Sequence, residues 1–306
     1  MTGVRKELAL VPSPSPEGLG PEPSFERRID VLRRAAERVR QGADGKAVHD
    51  ARVATRRLAA LLDVWKEELE PKPRRRANRS LHRMRRRLGA AREREVSLEQ
   101  IQKALGDAVG EDAAALDALA TRLRKRLPED RARVESAARH RRVEEIVEDL
   151  RACLRHETTE PRPRPGALDR AAERVARRRA QALTALDQAL DHPQDVALHA
   201  ARIEAKKWRY GEEALAEAKG AKMPRAVSVL RALQEILGAN QDRAVLAARL
   251  ERQARREAKR ENAGRAQALR SRAAALHAES VQRRADLASL RDRLHAGPHE
   301  LSPPNG

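Results

Sequence analysis

Apolar residues recur along this chain at intervals of three and four, and no stretch alternates in the two-residue rhythm of a strand. Over residues 47–69, Ala51, Ala54, Leu58, Leu61, Leu62 and Trp65 fall on one side of a helix, with cations on the other. The pattern predicts an all-α protein. PSPSPEGLGPEP makes residues 1–23 a disordered tail, because it is rich in Pro and Gly and poor in apolar residues. A first helix is expected from Ser24, as cap, to Arg40, ended by Gln41 and Gly42. The next, 47–69, stops before Pro71 and Pro73. A basic helix over 74–88 ends at Gly89, and another spans 93–108. The very polar stretch 112–156 reads as two helices broken near Pro128. PRPRPG at 161–166 is the clearest linker, separating a first half (24–160) from a second (167–296). The second half predicts helices at 168–190, 196–218, 222–237 (ending at Gly238), 240–262 and 264–295, followed by a tail over 297–306.

One polar pattern occurs twice. HDARVATRRL at 49–58 and HAARIEAKKW at 199–208 stand 150 residues apart, each a His followed by cations at +3, +7 and +8. On a helix His49, Arg52 and Arg56 share roughly a 60° arc, with Arg57 to one side. His199, Arg202, Lys206 and Arg209 form the second stripe, with Lys207 beside it and Ala201 and Trp208 behind. A solvated face normally mixes acids with bases at i,i+4, whereas between His49 and Arg57 the only acid is Asp50, pointing sideways. Crowded like charges repel, so an arrangement built twice suggests an anionic ligand that neutralises it. Repetition also predicts internal duplication: two antiparallel helical bundles related by a pseudo-twofold, with the stripes meeting along a basic groove or channel. Seven residues of helix put the first and last cations of a stripe about 10 Å apart, which suits a linear ligand bearing many phosphates.

Composition sharpens this picture. Lys and Arg outnumber Asp and Glu by 65 to 46, a net charge of +19 that attracts polyanions. The aromatics are Phe25, Trp65, Trp208 and Tyr210, so the core must come from close packing around Ala and Leu. Cys153 is the single cysteine and reads as core. No apolar run reaches membrane-spanning length and residues 1–12 lack the apolar centre of a signal peptide, so a cytoplasmic protein without membrane attachment is expected.

Enzyme signals are weak. His49-Asp50 could suggest a metal phosphohydrolase, but Ala200 stands at the second copy's Asp position. Glu93 and Glu95 have ExExK spacing, yet Ser97 occupies the Lys position. There is no Gly-rich phosphate loop, Ser/His/Asp order or Cys/His cluster, so neither catalysis nor a cofactor or metal is expected. Nucleic acid is the rival ligand, since phosphate contacts dominate its sequence-independent binding. Single-strand binders generally stack bases on aromatic side chains, which are scarce here, so it is expected to bind more weakly. A helical scaffold for an acidic protein is a third alternative, with the mixed-charge regions 112–156 and 250–295 as its candidates.

Two further segments, RRLGAAREREV at 86–96 and LQEILGANQDRAV at 233–245, join the two signatures. All four, in this order, resemble the signature segments of the CHAD family, the conserved-histidine α-helical domains, over roughly residues 24–296. The resemblance implies that the ligand is inorganic polyphosphate. It carries the contacts onto His49, Arg52, Arg56, Arg57, His199, Arg202, Lys206, Lys207 and Arg209, and implies association with polyphosphate granules. Ala59 stands where the family usually has Arg, and Glu93 and Glu95 replace its usual Asp pair. The first half is therefore expected to bind anion more weakly than the second.

Overall fold

The structure, a computed structural model, describes residues 21–42, 45–155, 164–192, 194–282 and 284–296. The other residues, including most of the expected tail 1–23, all of the expected tail 297–306 and positions 161–163 of the expected linker, lie outside the described residues. Good helix formers dominate the chain, and the described part folds into α1 (Glu22–Arg40), α2 (Gly45–Val64), α3 (Pro71–Leu105), α4 (Gly110–Arg124), α5 (Leu127–Ala138), α6 (His140–Leu154), α7 (Ala167–Asp191), α8 (Asp195–Ala218), α9 (Arg225–Ala258), α10 (Ala263–Gln282) and α11 (Arg284–His295).

Several boundaries differ from the expected ones. Ser24 is not a cap: α1 starts two residues earlier, beyond Pro21, and buries Ser24. α2 ends at Val64 rather than 69, and Trp65–Glu70 forms a turn. Gly89 and Gly238 stop nothing. α3 runs 35 residues through the first and α9 runs 34 through the second. A mid-helix Gly costs only about 0.5–1 kcal/mol. Apolar positions continue on both sides of each, Leu88 and Ala91 around Gly89, Leu237 and Leu246 around Gly238, so packing outweighs the local preference. The polar 112–156 stretch makes three helices, because the chain turns again at Arg139, whose extended backbone (φ −52°, ψ 135°) joins α5 to α6. The expected 264–295 helix is divided into α10 and α11.

Two hydrophobic cores form, joined by α3 and α9. The larger gathers Phe25, Trp65 and Trp208 with the apolar faces of α1, α2, α5, α6, α7, α8 and α11 and the N-terminal parts of α3 and α9. The smaller packs α4 and α10 against the C-terminal parts of the same two helices, through Leu98, Ile101, Leu246 and Leu250. Between Ala91 and Ser97 on α3, and between Leu237 and Leu246 on α9, no apolar side chain enters either core. This polar gap is the waist of the molecule.

With so few aromatics, Arg–carboxylate pairs help to fix helix against helix. Arg33 and Glu144, with Glu26 and Arg151 (2.8 Å), tie α1 to α6, and Arg28 with Glu217 (2.6 Å) ties α1 to α8. Asp63 of α2 receives Arg178 (2.6 Å) and Arg174 (3.3 Å) from α7. Burial opposes ionisation of Asp63, but the two guanidinium groups outweigh it and hold the carboxyl below its usual range.

Candidate anion site at the waist

α2 and α8 pack directly against each other, each flanked by a long helix, α3 beside α2 and α9 beside α8. Ala51, Ala54 and Leu58 bury one face of α2, and Ala201, Ala205 and Trp208 bury one face of α8. Helical periodicity then turns Arg52, Arg56, Arg202 and Lys206 away from the larger core and toward the gap. All four are half-buried, and each feels the charge of the others. None of them forms an ion pair with a described residue, and Nε of both Arg52 and Arg202 is buried without a hydrogen-bond partner. An unpaired buried donor is costly. Two equivalent ones, aimed into a polar gap, make a place where acceptor oxygens are wanted.

The glycines that the helices run through belong to this geometry. A Cβ at Gly89 would lie 4.0 Å from Arg52 Nη2, and one at Gly238 would lie 4.0 Å from Arg202 Nε. Each long helix thus presents bare backbone where the signature arginine of its neighbour lies.

Electrostatic strain is largest at Lys206. Burial, reinforced by Arg56, Arg202, Arg52 and Arg209, pushes its ammonium down to about 6. Burial and the same crowding bring Arg52 down to about 10, still fully charged at neutral pH, and lower Arg202 as well. His49 is exposed at one end of the row. Partial desolvation, with Arg52, Arg56 and Arg92, holds its imidazole below the usual value against the pull of Asp50. Two acids face the row without pairing to it, Glu93 of α3 and Asp242 of α9; burial raises the Asp242 carboxyl despite Arg202, Lys206 and Arg92.

The remaining expected site residues lie differently. Arg57 and Arg209 flank Glu213, a buried carboxylate, at 3.4 and 3.7 Å, and Arg231 approaches it at 3.8 Å. These are ion-pair distances without hydrogen-bond geometry, so Glu213 partly neutralises the two arginines. Arg209 also sits over the ring of buried Tyr210, 4.6 Å from its centroid. Lys207 is exposed and pairs with Glu204 at 2.6 Å, outside the row. His199 is exposed and hydrogen-bonds Gln241 of α9. Cys153 is core, its thiol donating to the Asp149 carbonyl at 3.0 Å and pushed up to about 12 chiefly by burial.

Sequence reasoning missed Arg85, Arg92, Gln241, Asp242 and Glu213 as neighbours of the row. Arg92, Gln241 and Asp242 lie in the two segments that carried the family resemblance, so a signal was present. Glu213 and Arg85 had none, because their place depends on how α3, α8 and α9 pack.

The pattern that defines the CHAD domain matches residues 24–251. The chain belongs to the CHAD family. It is 32% identical over 210 residues to the uncharacterized protein MT2285 of Mycobacterium tuberculosis strain CDC 1551 / Oshkosh, covering 65% of this chain and 39% of that protein. The same figures hold for the uncharacterized protein Rv2226 of M. tuberculosis strain ATCC 25618 / H37Rv. The chain therefore spans less than half the length of these curated relatives. Among solved structures, the CHAD domain from the plant Ricinus communis superimposes with a TM-score of 0.66 at 20% identity, covering 97% of each chain. PptA from Streptomyces chartreusis superimposes with a TM-score of 0.64 at 20% identity, over 89% of this chain and 99% of its own. At that identity the likeness establishes the shared CHAD fold. Among the described residues no helix is long and apolar enough to cross a membrane.

Proposed function

We propose that this protein binds inorganic polyphosphate at the waist, as a non-catalytic binding protein. One observation carries the reading: Arg52, Arg56, Arg202 and Lys206, from two adjacent helices, crowd together without an acidic partner. A ligand with repeated negative charge along a thin chain relieves every one of those contacts at once. Arg grips phosphate oxygens through its fork, and Lys supplies a point charge. His49 and His199 stand at the exposed edge, and Arg57 and Arg209, shared with Glu213, form a second rank that strengthens when phosphate competes for them. Lys207 belongs to the approach rather than the row. We read the two signatures and their glycine-bearing long helices as an internal duplication about a pseudo-twofold, with the waist as the shared groove. Recruitment to polyphosphate granules in the cytoplasm is the role this chemistry fits.

Competition between long-chain polyphosphate and DNA or RNA, at equal phosphate concentration and near-physiological salt, tests the reading. Polyphosphate is expected to displace both, because a recessed row admits a thin chain and the scarce aromatics give bases little to stack on. If either nucleic acid wins by tenfold or more, the ligand is wrong.

A further inference from the structure

The first half of α3 carries far more charge than the waist uses. From Pro71 to Arg92 there is no acidic residue, but there are Lys72 and nine arginines. Helical periodicity sorts them. Ala77, Leu81, Met84 and Leu88 are buried. On the flank toward α6, Arg76 pairs with Asp149 at 2.8 Å, and Glu144, Glu145 and Glu148 line the same shallow pocket, which Arg83 and, at the edge of the exposed face, Arg79 border without an ion pair to a described residue. Opposite the buried face, Arg75, Arg79, His82 and Arg86 fall within roughly a 60° arc, and all four are exposed. Among the described residues Arg75, Arg79 and Arg86 make no hydrogen bond or ion pair. Arg75 and Arg79, spaced i,i+4 and so about 6 Å apart along the axis, repel within the ~8 Å screening length of physiological salt. An ordinary solvated face would intersperse acids.

This stripe is joined to the waist. Arg85 is half-buried on the side of α3 that faces Arg56 and Tyr210. Its Nη2 donates to His82 Nδ1 at 3.1 Å. The His82 ring, accepting at Nδ1, carries its proton on Nε2 and can donate outward. Arg85 and His82 thus link the recessed row to the exposed stripe, which extends about 16 Å from Arg86 to Arg75.

We propose that α3 continues the anion site out of the waist: a linear polyphosphate too long for the recessed row leaves it past Arg85 and His82 and runs along Arg86, Arg79 and Arg75 at the surface. The proposal rests on the reading of the waist as a polyphosphate site. Its consequence is discrimination by length, because a short chain fills the waist alone while a long chain engages both surfaces.

The test uses the full chain with two probes, tripolyphosphate and long-chain inorganic polyphosphate. In an Arg75→Gln, Arg79→Gln, Arg86→Gln variant, long-chain affinity is expected to fall at least about tenfold, with the log–log salt slope flattened by about 0.7 per lost contact. Tripolyphosphate affinity stays unchanged, which also shows the variant to be folded. The corresponding triple Lys variant retains long-chain binding, since exposed contacts need charge more than the guanidinium fork. Long-chain affinity within about twofold of the parent in the Gln variant overturns the proposal, as does a variant that loses duplex DNA but keeps long-chain polyphosphate. Arg52→Gln with Arg202→Gln tests the waist separately by its loss of tripolyphosphate. Should that pair bind tripolyphosphate normally, the waist reading fails on its own, whatever the α3 variant does.

Discussion

Lys206 and Arg52 stand in the same crowded row and respond to it differently. Arg52, at about 10, keeps its charge at neutral pH, whereas Lys206, at about 6, is mostly neutral until an anion arrives. Phosphate oxygens beside the amine restore its affinity for a proton, so binding above pH 6 takes up a proton at this position. Affinity is therefore expected to weaken as pH rises from about 6 toward 9, by up to about tenfold per pH unit while one full proton is taken up. Lys206→Arg, permanently charged, flattens that slope. His49 lies below the usual imidazole value, so His49→Gln alters the profile only at the acid end. Binding measured from pH 5.5 to 9 separates the two, and an unchanged slope in Lys206→Arg would exclude proton uptake there. The same shift acts on the ligand-free fold with a definite sign. The unfolded chain holds this proton up to about 10.4 and the folded chain only to about 6, so Lys206 makes the fold less stable as pH falls through that window.

At the scale of the element, the long helices α3 and α9 each sacrifice a side chain where they pass a signature arginine. Gly89 and Gly238 sit in helical backbone, so neither is needed for a turn, and their use is the space they leave. Gly89→Ala or Gly238→Ala should raise thermal stability by about 0.5–1 kcal/mol through helix propensity, with binding little changed, since the new methyl makes an ordinary 4.0 Å contact. Gly238→Leu should instead displace Arg202 and weaken polyphosphate binding about tenfold, ~1.4 kcal/mol. Thermal melts and binding isotherms on the three single variants check this. Parental affinity in Gly238→Leu would mean that the glycine leaves room for nothing that matters to binding.

Across the whole molecule, the proposed anion site lies where α3 and α9 join the two cores through segments that contribute no side chain to either. α2 and α8 meet there with like charge, which Glu93 of α3 and Asp242 of α9 only partly offset, so an empty waist opposes the packing that the cores favour. Arg52→Gln with Arg202→Gln should therefore stabilise the ligand-free protein by about 0.5 kcal/mol or more. Polyphosphate at 100 times its Kd should stabilise the parent by about 2.7 kcal/mol and this variant hardly at all. Differential scanning calorimetry with and without polyphosphate measures both. A variant less stable than the parent when empty would show that the arginines hold the waist together rather than strain it.

The all-α class was legible in the chain because a periodicity of three to four, repeated from Phe25 to Leu294, leaves no other way to bury those residues. So was the row itself: Arg52, Arg56, Arg202 and Lys206 could be named from one pattern repeated at an offset of 150, since position on a helix decides which side chains share a face. Helix ends were less legible. Gly89 and Gly238 look like stops locally, and only the apolar residues packed on either side of each make the helix run through. Which cations are free was decided by tertiary structure alone. Arg209 shares its sequence stripe with Lys206, and Arg57 stands just to the side of Arg56, yet buried Glu213 lies beside Arg57 and Arg209 and no acid among the described residues pairs with the other two. The depression of Lys206 is likewise largely a property of the assembled waist, because its two leading causes are burial and Arg56, brought in with Arg52 from a helix 150 residues away, with Arg202 and Arg209 of its own helix adding to them. Local pattern determines the face a side chain points from, and packing determines what it meets.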